Sequence, residues 1–168
     1  MSDDQPARTS PARTSTTHTE FADFYRSHFT SLTAFVLMHG ATLVEAADIV
    51  QDTMIEAFRS WDRIDHPKAW AYRVSSRSFG RRTFSEDLVA EPPEPAPPLR
   101  GSDLEHWEQQ HDMLLLLADL PLRQRQVMAW TLSGFRPAEI AAELGVTPEA
   151  VRSSLMKARR ALSGRGAR

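Results

Sequence analysis

An all-α protein of two small helical domains is predicted by three observations. Apolar residues recur at three- and four-residue spacings along most of the chain. No alternating run is long enough to argue for a strand. A proline-rich acidic stretch, EPPEPAPP at residues 91–98, cuts the helical sequence in two. Proline removes backbone donors and restricts its neighbours, so residues 91–98 form an extended tether and not a helix.

Each element has its own signal. Residues 1–18 contain Ala7-Arg8-Thr9-Ser10 and Ala12-Arg13-Thr14-Ser15 with almost no large apolar side chain, which predicts a disordered polar tail ahead of a first domain at 19–83. From Glu20 to about Met38, residues Phe21, Phe24, Tyr25, Phe29, Leu32, Phe35 and Val36 keep a helical spacing, and His39-Gly40 stops the helix. Thr42 and Glu45 match the pattern in which a side chain and a backbone donor cap each other, launching a second helix to about Trp61. Its core-facing stripe reads as Leu43, Ala47, Val50, Met54, Phe58 and Trp61. Pro67 suits the first turn of a third helix, running to about Arg82. A flexible acidic linker at 84–102 then leads to a second domain at 103–168. There Ser102 and Glu105 cap a helix through Leu120, and Pro121 opens the next, which ends near Ser133-Gly134.

Arg136 to Leu162 reads as a helix-turn-helix. Ile140, Ala141 and Leu144 line the first helix, and Gly145 stands where the left-handed C-terminal cap is needed. Thr147 offers a hydroxyl to the free donors of the second helix, and Pro148 fits its first position. Val151, Leu155, Ala158 and Leu162 form its buried stripe, which leaves Arg152, Ser153, Met156, Lys157, Arg159 and Arg160 outside it. Residues 150–168 contain no acid, so these cations cannot be neutralised within the segment. A solvated basic face is the plain alternative, and duplex DNA the better partner.

Charge is segregated behind a near-neutral total of 20 basic and 22 acidic residues. Residues 83–120 carry a net charge of −8, and 121–168 a net charge of +6. With no cysteine among 168 residues, disulfides and thiolate metal sites are excluded. The longest apolar run, Met113 to Ala118, is far short of a membrane span, and the N-terminus lacks the apolar centre of a signal peptide. A cytoplasmic protein without membrane insertion is expected.

Two further faces carry chemistry. Asp48, Gln51, Asp52 and Ile55 share one side of the second helix, as either a docking surface for a partner helix or a solvated face. The third helix mixes Trp70, Tyr72 and Phe79 with Lys68, Arg73, Arg77, Arg81 and Arg82 and has no acid up to Arg82. Cations that follow phosphates and aromatic rings that stack on bases suit a single strand, although such rings also serve as core. Catalysis finds no support. Glu45, Asp48, Asp52 and Glu56 suggest a magnesium site, but the adjacent helix supplies no facing carboxylate up to Arg82. His106 and His111 are not spaced to share a metal, and no glycine-rich phosphate loop is present. No enzyme, cofactor or metal site is expected.

The run Glu45-Ala-Ala-Asp48-Ile-Val-Gln51-Asp52-Thr53, followed by Ala57-Phe58-Arg59-Ser-Trp61, resembles the extracytoplasmic-function RNA polymerase sigma factors of the sigma-70 family. A second motif, Leu120-Pro121-Leu-Arg123-Gln-Arg125-Gln-Val127 with Glu139-Ile140-Ala141-Ala-Glu-Leu144-Gly145-Val146, resembles the same family, and the likeness covers about residues 20–82 and 111–162. The resemblance implies that Asp48, Gln51, Asp52 and Ile55 meet a coiled coil of the polymerase core's largest subunit. It implies that Asp62, Arg63 and the following helix, with Lys68, Trp70, Arg73, Arg77 and Arg81, hold unstacked bases of the minus-ten promoter element. It further implies that the minus-thirty-five element is read as duplex by Arg152, Ser153, Met156 and Lys157, with Thr147 at the start of that helix and Arg159 and Arg160 nearer phosphate. The acidic tether looks like the family's linker in the RNA path, and an anti-sigma factor joins core polymerase and promoter DNA as a candidate partner. Arg77 stands where the family usually has asparagine, and Arg81 where it has an acid; both shift strand capture towards phosphate attraction. The alternative is a helix-turn-helix regulator that binds duplex DNA without being a polymerase subunit. Such proteins normally carry an α/β receiver upstream, where this chain has helices.

Overall fold

The computed structural model describes residues 11–86, 114 and 116–164. The proline-rich stretch and the cap expected at Ser102 and Glu105 lie outside them. Every regular element among the described residues is helical. Helix α1 spans Pro11–Met38, α2 Leu43–Arg59 and α3 Pro67–Glu86, with a single 3-10 turn at Trp61–Arg63 between the last two. The second cluster holds α4 at Leu122–Leu132, α5 at Pro137–Leu144 and α6 at Pro148–Ser163.

Helix α1 starts earlier than the polar composition of its first turns suggests. Pro11 to His18 belong to the helix, where the sequence predicts a disordered tail. Tertiary contacts support the helix at residues 17 and 18: the Thr17 hydroxyl donates to Asp62 at 3.2 Å, and the His18 ring lies 5.4 Å from that of Phe58. The other end matches expectation. Gly40 adopts φ +107, and its amide returns to the Leu37 carbonyl at 2.9 Å.

Helix α2 opens on the expected reciprocal cap. The Glu45 amide donates to the Thr42 hydroxyl at 3.3 Å, and the Thr42 amide to the Glu45 carboxylate at 2.6 Å. Its buried side is rotated from the predicted stripe: Ala46, Ile49, Val50, Thr53, Met54 and Ala57 face inward, whereas Ala47 is exposed and Phe58 is 45% exposed. Small residues win because α3 approaches closely. Ala71 and Ser75 are buried, and the Thr53 hydroxyl both donates to the Ile49 carbonyl at 2.7 Å and meets the Ser75 hydroxyl at 3.0 Å. The polar groups thereby satisfy one another inside the packing.

In the second cluster, Gly145 takes φ +63, and the Thr147 hydroxyl accepts the Ala150 amide at 3.2 Å before Pro148 begins α6. Val151, Leu155 and Ala158 are buried against α4 and α5, as their spacing predicts. The two clusters do not keep separate cores. Helix α1 packs on α2 and α3 and also on α4, so that buried residues from Phe24 to Ala158 form one continuous hydrophobic cluster.

Nothing would touch a Cβ added at Gly145, so its substitution isolates the backbone cost of a left-handed residue. Gly145→Ala should lower stability by about 1–2 kcal/mol, measured by urea unfolding.

Candidate nucleic-acid interface

Three exposed faces contain the residues that the sequence singles out. On α2, Asp48, Gln51, Asp52 and Ile55 all point to solvent, Ile55 being 40% exposed. Val44, 50% exposed, and Phe58 extend that face at either end, which the sequence pattern did not foresee. Two of the polar groups are engaged by neighbouring helices: Arg82 reaches the Asp52 carboxylate at 3.2 Å, and the Tyr25 hydroxyl donates to the Gln51 side chain at 3.5 Å. Among the described residues no group of three His, Cys, Asp or Glu could hold a metal ion.

The second face follows the 3-10 turn and α3. Asp62 and Arg63 lie exposed on the turn, and Lys68, Arg73, Arg77 and Arg81 are exposed along α3. Arg73, Arg77 and Arg81 recur every four residues and so form one row of cations. The aromatic residues of this helix do mainly structural work. Tyr72 is buried, and Trp70 and Phe79 are half-buried against the core. Lys68 places its Nζ 5.9 Å from the Tyr72 ring centre and 5.8 Å from that of Phe135, near enough for attraction to both ring faces.

The third face belongs to α6. Arg152, Ser153, Met156, Lys157, Arg159 and Arg160 are all exposed, with Met156 the most open large apolar side chain among the described residues at 58%. Thr147 caps this helix from its first turn. Arg152 pairs with Glu149, an acid just outside the acid-free segment. An exposed pair of this kind is worth only about 0–1 kcal/mol and leaves the cation available to a stronger acceptor.

Four rings join the clusters. Phe35 of α1 and Tyr72 of α3 lie 4.8 Å apart, Tyr72 and Phe135 5.4 Å, Phe135 and Trp130 4.8 Å, and Trp130 and Phe35 4.9 Å, so each ring touches two others. Trp130 is fully buried there. Beside them a cleft of about 420 Å³ runs between residues 65–69 of the first cluster and Gly134, Phe135 and Glu139 of the second. Glu143 of α5 then spans the boundary, accepting from Arg73 Nε at 3.1 Å and from Arg77 Nη2 at 3.3 Å. In the sequence Glu143 is only part of a helical motif, and Phe135 carries no signal at all. No spacing rule links them to α3.

His39 is buried at the same boundary. Burial, and secondarily the Arg125 charge, push its pKa from 6.5 down to about 4, against the opposing pull of the Phe35 carbonyl. Its Nδ1–H donates to that carbonyl at 2.8 Å, which sets the tautomer, while burial keeps the ring neutral.

Residues 24–91 match the family model of sigma-70 region 2, and residues 110–162 match that of sigma-70 region 4. The chain is 26% identical to the sigma factor RpoE of Bartonella quintana, solved with the anti-sigma factor NepR, over 86% of this chain and 95% of that one, with a TM-score of 0.62. It shares the fold of CnrH, solved with the cytosolic domain of CnrY, at 23% identity over 86% of this chain and 85% of that one, with a TM-score of 0.59. Among curated proteins, none matches significantly. Two sigma-70 regions in this order on one helical chain define a transcription initiation factor of the sigma class. The chain belongs to the extracytoplasmic-function group, group IV, of the sigma-70 family; it directs RNA polymerase to promoters and is not an enzyme. No helix among the described residues is long and apolar enough to cross a membrane.

The neutral state of His39 has a thermodynamic consequence. The unfolded chain takes up a proton near pH 6.5 that the folded chain refuses until about pH 4. The stabilisation is therefore whole above pH 6.5 and is lost as pH falls towards 4, by about 3 kcal/mol. Urea unfolding at pH 7 and pH 5 should show this decline, and His39→Gln should flatten it.

Proposed function

We propose that the chain is a dissociable promoter-specificity subunit with its work divided among the three faces. Asp48, Gln51, Asp52 and Ile55 dock on a helical coiled coil of core polymerase, where Ile55 supplies apolar contact and the acids meet cations. Asp62, Arg63, Lys68, Trp70, Arg73, Arg77 and Arg81 hold the opened minus-ten strand. Stacking and phosphate attraction there offset the cost of unstacking bases. Helices α5 and α6 act as a helix-turn-helix that reads the minus-thirty-five duplex: Arg152, Ser153, Met156 and Lys157 reach base edges, Met156 suits a thymine methyl, and Thr147, Arg159 and Arg160 lie nearer phosphate.

One observation carries this reading. The segments matching region 2 and region 4 each present an exposed row of cations, on α3 and on α6, which is what positioning one protein on a strand and on a duplex requires. We assign residues 19–83 and 103–168 as the two working domains, 84–102 as the acidic linker in the RNA path, and the cytoplasm as the place of action. An anti-sigma factor is a further partner, on the strength of the RpoE complex with NepR.

Transcription reconstituted from core polymerase and this chain on a library of genomic promoters tests the whole. Specific start sites are expected, and none at any promoter would refute the assignment. Asp52→Lys should abolish co-purification with core polymerase while circular dichroism stays that of the parent. Arg152→Ala should weaken minus-thirty-five binding by about 1–3 kcal/mol and relax discrimination at one base pair. A loss equal across all sequences would make it a phosphate contact instead.

A further inference from the structure

We propose that the N-terminal part of α1 clamps the Trp61–Arg63 turn, and that Thr17 is a positioning residue for Asp62, the one acid among the groups assigned to the minus-ten strand. The inference rests on that assignment. The turn has little to hold it in place by itself. It is a single 3-10 turn with no buried residue and no side-chain cap, closed by the Arg63 amide on the Ser60 carbonyl at 2.9 Å and the Ile64 amide on the Trp61 carbonyl at 3.2 Å. Helix α1 supplies what is missing. Thr17, Phe21 and Phe24 follow at intervals of four and three residues and so share one face of that helix. The Trp61 ring lies 5.2 Å from Phe21, edge-on, and 5.1 Å from Phe24. Phe21 also lies 5.0 Å from Phe58 near the end of α2, and His18 meets that same ring at 5.4 Å. Edge-on and tilted rings at such distances attract one another. One turn before Phe21, the Thr17 hydroxyl donates to Asp62 Oδ1 at 3.2 Å.

The rings fix where the turn sits, and the hydrogen bond fixes how its acid is aimed. Thr17, His18 and Phe21 all precede residue 24, where the match to sigma-70 region 2 begins, so this part of the clamp lies outside what the family model describes. An acid on this face is of no use for phosphate. Arg63, Lys68, Arg73, Arg77 and Arg81 attract the backbone of a strand, whereas an ionised carboxylate repels it and can only accept hydrogen bonds. What a strand offers such an acceptor is a base N–H, so Asp62 reads a base where its neighbours hold phosphates. Oδ1 accepts from Thr17, and Oδ2 serves the base. A carboxylate held by a neighbouring donor keeps one orientation, and a fixed acceptor discriminates between bases that a mobile one would accept alike.

Thr17→Val keeps the shape of the side chain and removes its donor, whereas Thr17→Ser keeps the donor. In transcription reconstituted with core polymerase on an active promoter randomised across the minus-ten element, Thr17→Val should flatten the base preference at one position about three- to tenfold, the scale of one net hydrogen bond. Its minus-thirty-five preference and its co-purification with core polymerase should stay those of the parent. Thr17→Ser should keep the parent's preference throughout. In an Asp62→Ala chain, Thr17→Val should change the preference no further, because the two residues act as one unit. The clamp has a reading of its own: in the free chain the Arg63 and Ile64 amides should exchange with deuterium faster in Thr17→Val, and faster still in Phe21→Ala at unchanged helix content. Unchanged exchange in both variants would overturn the clamp. If Asp62→Ala alters the minus-ten preference and Thr17→Val does not, Thr17 positions nothing and the proposal falls. Equal losses at both promoter elements would also overturn it, as the mark of a general loss of stability. Faster exchange, with the preference unmoved by Thr17→Val and by Asp62→Ala alike, would uphold the clamp and overturn the assignment of Asp62 to the strand.

Discussion

The insertion of Trp130 between Phe35 and Phe135 is the contact on which the arrangement of this molecule depends. It puts a residue of α4 against a residue of α1, and through Tyr72 it draws α3 into the same group of rings. Aromatic pairs contribute about 0.5–1.5 kcal/mol each beyond the area they bury. Several such pairs, together with a fully buried indole, can hold the two clusters together. Glu143 then falls within reach of Arg73 and Arg77 as a consequence of that docking and not as its cause.

Much of the fold is legible in the sequence because local chemistry dictates it. The Thr42–Glu45 cap, the left-handed Gly145, the Thr147 cap and Pro148 all stand where the residue types require. Their partners lie within three or four residues. The buried stripe of α6 is legible for the same reason, since Val151, Leu155 and Ala158 follow the helical period. The exposed cations of α3 and α6 and the polar face of α2 are also found where spacing places them.

What the sequence hides is non-local. The buried side of α2 is shifted because Ala46, Thr53 and Ala57 pack where α3 comes close, while the larger Phe58 is left partly outside. A hydrophobicity pattern ranks Phe58 above Thr53, and only the neighbour, Ser75, explains the reversal. Near the start of α1, Thr17 and His18 meet Asp62 and Phe58, which no local rule connects to them. Glu143 is the sharpest case for function. In the sequence it is one acid in a short helical motif; in the fold it is the counter-charge for two arginines of another helix.

The shared core can be tested without altering any residue. In nuclear Overhauser spectra of the free chain, the Trp130 indole should show cross-peaks to the Phe35 ring as well as to the Phe135 ring, since both lie within 5 Å between centres, at 4.9 and 4.8 Å. Cross-peaks from Trp130 to Phe135 alone, with none to Phe35, would mean that the clusters stand apart in solution, and would contradict the account.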